Sequence, residues 1–215
     1  MAHSQPPERL LRRQEKHEKI LDAGEACLRE HGYEAMKMSD VAVRAGVAKG
    51  TVYRYFDSRD ALCAAIAERH IAARLPKMQA LASDPNPASA LRAVLECALL
   101  AFEQRPEHTR SMLDWWRRPH LKTRSPSFIA YRARVQEMLG LIEGLIARGV
   151  EGGVFAPTDN RRAAIHLWSS ILGLVLLCAN PLASRARLGD AFEPLAQREF
   201  FIESLLRGLR AEGAR

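Results

Sequence analysis

Four cysteines in 215 residues, at 27, 63, 97 and 178, are too few and too scattered for a disulfide scaffold. None belongs to a C-x-x-C pair, and although Cys27 and His31 stand four apart, no second ligand pair accompanies them. Such thiols behave as small buried hydrophobes in a reducing cytoplasm. Long apolar runs are missing as well. The stretch MAHSQPPERLLRRQEKHEK lacks an apolar core of signal-peptide length, and LWSSILGLVLLCA (Leu167 to Ala179) is too short to span a bilayer, so a cytoplasmic protein is expected. The chemistry-bearing signatures are absent too: there is no G-x-S-x-G elbow, Gly-rich phosphate loop, H-E-x-x-H or pair of carboxylates on one helical face. His108, Asp114 and His120 share no helical face that would hold a metal. Neither an enzyme, a cofactor nor a metal site is expected.

Alternating strand patterns are also lacking, whereas apolar residues three and four apart recur between proline, glycine and asparagine stops. The chain therefore reads as all-α, with 47% apolar residues to build a core. A first helix is expected from about Arg9 to Glu30, with Ile20, Ala23, Cys27 and Leu28 inward and a stop at His31-Gly32. Two short helices follow, and Ser58 caps a longer one carrying Leu62, Ala65 and Ile66. SDPNP (Ser83 to Pro87) is the strongest break, and later helices are expected at roughly 87–104, 107–118, 126–151, 159–179 and 193–211. Two domains follow from this, at about 9–75 and 76–215. The net charge of +7 favours an anionic partner without identifying it.

The stretch KMSDVAVRAGVAKGTVYRYF, Lys37 to Phe56, narrows the choice. Ser39 to Ala45 makes about two helical turns, with Ser39 available as a cap. Gly46 supplies a residue at ease with positive φ, and a second helix restarts at Ala48 or Lys49. Val41, Ala42 and Ala45 point inward on the first; Val52 and Phe56, one turn apart, anchor the second. The outer side of the second then holds Gly50, Tyr53 and Arg54, flanked by Lys49, Thr51 and Tyr55. Glycine permits close approach of backbone, while cations and hydroxyls reach phosphates and guanine edges.

The segment DVAVRAGVAKGTVYRYFDSRDAL, preceded by a helix ending HGYEAM, resembles the DNA-binding domain of the tetracycline-repressor (TetR) family over the first third of the chain. The resemblance implies base contacts from Lys49, Gly50, Tyr53 and Arg54, and phosphate contacts from Thr51, Tyr55 and Arg59. One departure stands out: the family usually places threonine or serine just before the first short helix, where this chain reads Met36-Lys37-Met38. Lys37 then offers a cation to phosphate where a hydroxyl would be usual.

A reader of one short helix usually works as a symmetric dimer on a palindrome. RRAAIHLWSSILGLVLLCAN and EPLAQREFFIESLLRGLR offer apolar faces, and the family resemblance implies a four-helix interface, assigned to Leu167, Ile171, Leu174, Val175, Phe201 and Leu205. The alternative is that both helices merely complete a monomer core. The resemblance further implies a cavity for a small effector, with Phe102, Met112, Trp115, Trp116, Tyr131 and Trp168 as candidate walls; core packing suits the same side chains. Seven cations between Arg110 and Arg134 suit either an anionic effector or solvent. The expected function is a DNA-binding transcriptional regulator, a repressor released from a palindromic operator by a small molecule. An activator of the same fold, a helical enzyme and a basic adaptor stand behind it.

Overall fold

Helix α1 (Glu8–Ala35) is organised by its buried Ile20, Ala23, Cys27 and Leu28, which repeat at helical spacing. It breaks at Gly32, whose φ of 71° and ψ of 173° lie outside helical space. Gly24 is the second glycine the helix needs. A Cβ there would stand 2.9 Å from Leu62 of α4 (Arg59–Ala82), so its absence lets the two helices approach closely. Ser58 caps α4, its hydroxyl oxygen accepting from the Ala61 amide at 3.1 Å. Between α1 and α4 run the short helices α2 (Met38–Arg44) and α3 (Lys49–Tyr55). Arg69 ties α4 back to α1 by donating to Glu18, Asp22 and Glu25 at 3.2, 2.7 and 2.6 Å.

The computed structural model describes residues 8–104, 106–117, 124–179, 186, 189 and 194–211. Five further helices are described there: α5 (Pro87–Glu103), α6 (Pro106–Trp116), α7 (Pro126–Glu151), α8 (Asn160–Cys178) and α9 (Pro194–Arg207). No β-strand occurs among the described residues, only an isolated bridge between Phe155 and Arg210. The break at SDPNP falls as its chemistry requires: Asn86 accepts from the Ala88 and Ser89 amides at 3.0 and 3.1 Å, and Pro87 opens α5. The helix before it runs past the exposed Pro76 to Ala82. The Asn180-Pro181 stop lies outside the described residues.

The chain divides into two compact units, whose limits fall inside α4, α6 and α7. The first takes residues up to Arg69 together with Ser111–Arg132. Its core unites Ile20, Leu28, Met36, Val41, Phe56 and Leu62 with Met112 and Trp115. Ser111, itself buried, donates its hydroxyl to the Leu28 carbonyl at 3.0 Å. The second unit takes His70–Arg110 and the residues from Ala133 onward. There α5, α8 and α9 pack together, burying Leu91, Leu95, Leu167, Ile171, Ile202 and Leu206. Arg92 pairs with Glu203 across α5 and α9. At the end of α7, Gly149 is required by packing, since a Cβ would come within 2.0 Å of the Phe155 ring. Among the described residues α8 is the one helix long and apolar enough to cross a membrane; its Leu167, Ile171, Leu174 and Val175 are buried in its own unit.

Candidate nucleic-acid interface

The turn between α2 and α3 explains why a glycine stands there. α2 ends with Ala45 as cap and Gly46 at φ 66°, the left-handed region that favours glycine. The Gly46 amide donates to the Val43 carbonyl at 3.1 Å and the Val47 amide to that of Ala42 at 3.0 Å. Those are the two bonds of a Schellman cap, completed by Val47 packing on the core. The chain then reverses and α3 begins at Lys49, with Ala48 supplying no side-chain cap. At the other end of α2 the capping position is held by Lys37, also without a side-chain bond. Ser39 lies inside the helix, its hydroxyl donating to Asp40, so the expected serine cap does not form. α2 is pinned instead by Arg44, which donates to both Glu30 oxygens at 2.7 and 2.8 Å and holds that carboxyl below its usual range.

α3 has two sharply different sides. Val52 is 0% exposed and Phe56, just beyond the helix end, 2%, both within the core of the first unit. Tyr53 is 45% exposed, and Lys49, Gly50 and Arg54 are exposed beside it. Nothing lies within 4 Å of the place a Cβ would take on Gly50, so the space over that residue is open. The Lys49 ammonium stands 5.9 Å from the centre of the Tyr53 ring, close enough for a cation–π contact that orients both. Thr51 is half-buried. This is an outward surface of cation, bare backbone, phenol and guanidinium on a rod held from behind, suited to base edges and phosphates in a major groove.

Two side chains assigned to phosphate are engaged within the protein. The Arg59 guanidinium donates to the Glu34 and Met36 carbonyls at 2.9 and 3.2 Å and stacks 4.2 Å from the centre of the Tyr33 ring. Glu34 lies in the last turn of α1 and Met36 just beyond its end, where main-chain carbonyls have no helical partner. Tyr33 in turn donates to Asp60; burial first, then this bond, pushes its pKa up to about 12. The Tyr55 hydroxyl donates to the Arg13 carbonyl at 3.3 Å, and its ring centre lies 6.0 Å from that of His17. Lys37 is exposed.

The candidate wall residues fall into two groups. Met112 and Trp115 are buried in the first unit, where half-buried Trp116 and Tyr131 pack against the same cluster. Trp115 meets Tyr131 edge-on at 5.5 Å and Phe128, an aromatic not singled out from sequence, at 6.5 Å. Burial pushes the Tyr131 pKa up to about 12. The Trp115 indole nitrogen has no hydrogen-bond partner among the described residues. Phe102 and Trp168 form a ring pair at 6.2 Å in the second unit. Of the cationic segment, Arg110 donates to the Ala179 carbonyl and Arg134 pairs with Glu137, while Arg117, Arg124 and Arg132 are exposed; Arg118, Lys122 and His120 lie outside the described residues.

Among the residues assigned to a dimer interface, Leu167, Ile171, Leu174 and Val175 are buried within their own unit, and Phe201 and Leu205 are half-buried. Among the described residues, the large apolar side chains that α8 and α9 turn outward are Ile165, Leu176, Leu177 and Phe200, the last 72% exposed. Cys27, Cys63 and Cys97 are buried free thiols, and burial raises the pKa of Cys27 and Cys63 above the ordinary range.

Comparison with known proteins agrees with this geometry. A sequence model described as bacterial regulatory proteins, tetR family, matches residues 20–66, the span from α1 into α4 that contains the whole turn. The repressor KstR of Rhodococcus jostii strain RHA1 is 28% identical over 197 residues, 89% of this chain and 83% of that protein. The KstR of Mycolicibacterium smegmatis is 53% identical over 45 residues, 21% of this chain and 22% of the relative. Among solved structures, FadR of Bacillus subtilis in complex with stearoyl-CoA aligns over 90% of this chain and 100% of its own with a TM-score of 0.70 at 18% identity, a likeness of fold. Residues 20–66 thus match the DNA-binding part of tetR-family bacterial regulatory proteins, and most of the chain is similar to a transcriptional repressor.

Proposed function

We propose that this regulator is a repressor that binds a palindromic operator as a homodimer in the cytoplasm and releases it when a small effector binds. The observation that carries the reading is the two-sidedness of α3: Val52 and Phe56 are buried while Lys49, Gly50, Tyr53 and Arg54 face outward. Base contacts fall to those four residues, with Thr51 and Lys37 at phosphates. Since the Arg59 guanidinium and the Tyr55 hydroxyl already hold main-chain carbonyls, their contribution is to fix the reader in place. One such helix recognises too few base pairs alone, which is the reason to invoke two copies. The partner seats on the outward Ile165, Leu176 and Phe200, with half-buried Phe201 and Leu205 beside them, because Leu167, Ile171, Leu174 and Val175 already serve the interior of their unit.

Repression is supported by the similarity to the repressor KstR along most of the chain. Effector control is supported by the stearoyl-CoA bound to FadR, a structure of the same fold, and by candidate wall side chains within each unit: Met112, Trp115, Trp116 and Tyr131 in the first, Phe102 and Trp168 in the second. α4, α6 and α7 each contribute residues to both units, so an effector that favours one arrangement of these helices biases the reader. About 1–3 kcal/mol of coupling is enough for a switch. Gel shift of the full chain on genomic fragments over a range of salt tests the reading: a preferred fragment retained after non-specific binding is salted away supports it, and equal affinity for all fragments defeats it. Adding a long-chain acyl-CoA to the retained complex is the first trial of release.

A further inference from the structure

From residue 20 onward, one face of α1 is core: Ile20, Ala23, Cys27 and Leu28 are all buried. Traced back by whole turns, the same face carries Lys16, Arg13, Arg12 and Arg9, spaced at i, i+3, i+4 and i+7. The helix continues for about three turns beyond the core with cations where apolar residues had been. That extension is held beside α3. The Tyr55 hydroxyl bonds the Arg13 carbonyl, and the His17 ring lies 5.2 Å from that of Phe56. Between the two helices runs an open groove of about 650 Å³ lined by Arg9, Leu10, Arg12, Arg13, Lys16, Arg54 and Tyr55. Arg12 pairs with Glu8 at 2.5 Å, whereas Arg9, Arg13, Lys16 and Arg54 have no ion pair among the described residues.

Five cations converging on one groove repel one another, and among the described residues no carboxylate pairs with four of them. Arg54 belongs at once to this groove and to the outward side of α3, so the groove is continuous with the reading surface. We propose that the basic ridge of α1, Arg9, Arg13 and Lys16, grips the phosphate backbone flanking the bases read by α3, with Arg54 joining the two surfaces, making the half-site longer than one short helix covers. This rests on the DNA-binding reading above. Its contribution is sequence-independent: it adds affinity and salt dependence without choosing bases.

The test compares the full chain with its Arg9→Gln/Arg13→Gln/Lys16→Gln variant and with Tyr53→Ala, by fluorescence anisotropy on a fragment selected by the wild type, from about 50 to about 300 mM salt. Circular dichroism checks that each variant is folded. The triple variant is expected to bind at least about tenfold more weakly at the lowest salt. Its slope of log affinity against log salt falls by about 2.7 per engaged protomer, while its ranking of operator variants stays as in the wild type. Tyr53→Ala shows the opposite pattern, an altered ranking and a nearly unchanged slope. A folded triple variant with wild-type affinity and slope overturns the grip. A wild type without any preferred fragment, but whose non-specific slope still falls in the triple variant, defeats the operator reading and leaves the grip standing.

Discussion

α3 and α8 are built alike on the inside and differently on the outside. Each drives an apolar stripe into its unit, Val52 with the adjoining Phe56 in one case, Leu167 and Ile171 in the other. Outward, α3 shows Lys49, Gly50, Tyr53 and Arg54, whereas α8 shows Ile165 and Leu176, with Phe200 of α9 also exposed. A buried stripe tells only that a helix is folded in; the outward residues tell what it is offered to. Cation, phenol and bare backbone suit a polyanion with readable edges, and uncharged apolar surface suits another apolar surface.

The most damaging way to break this comparison is from inside. Phe56→Ala removes a ring that is 2% exposed and is expected to destabilise the first unit by about 3–5 kcal/mol, read as a lower midpoint in denaturant. An unchanged midpoint would mean that α3 is not held from behind. Next comes the outward face of the second unit. Phe200→Glu places a charge on that face, with an expected loss of about 2–4 kcal/mol in self-association and little change in the folding of each chain. Light scattering at micromolar concentration reads it, and an equal mass for wild type and variant removes Phe200 from the interface. Tyr53→Ala is expected to weaken operator binding by about 1–3 kcal/mol with the denaturation midpoint unchanged, because that side chain is nearly half exposed. Operator affinity equal to that of the wild type would contradict the assigned face.

The two sides of α3 were legible because their determinants are local. Val52 and Phe56, the glycine at 46, and Lys49, Tyr53 and Arg54 lie within a dozen residues, and the first two are buried and the last three exposed as the periodicity implies. What sequence did not show depends on partners far along the chain. Arg59 turns to the Glu34 and Met36 carbonyls, main-chain atoms at the end of α1, so nothing in the residue pattern marks it as already occupied. α8 is apolar nearly all round near its end, and only the positions of α5 and α9 decide that the stripe through Leu167 and Ile171 is interior while Leu176 is outward. Trp115 joins Leu28 and Met36 because residues 111–132 fold with the amino-terminal unit. The four cations of the ridge on α1 stand at helical spacing, but nothing in the residue pattern singles them out until Arg54 is brought beside them.

The finest probe of the inside–outside contrast is Gly50, where stability and function are expected to move in opposite directions. It lies on the outer side of α3 with open space over it, and its φ is not in the left-handed region that would demand glycine. Gly50→Ala therefore adds a methyl group without a clash and reduces the freedom of the unfolded chain. A gain of about 0.5–1 kcal/mol in stability is expected, seen as a small rise in thermal midpoint. If the same surface lies against nucleotide edges, that methyl holds the backbone away from them and operator affinity falls although the protein is more stable. A variant that gains stability and keeps full affinity would show that DNA does not approach α3 at Gly50, and would shift the contact toward Tyr53 and Arg54.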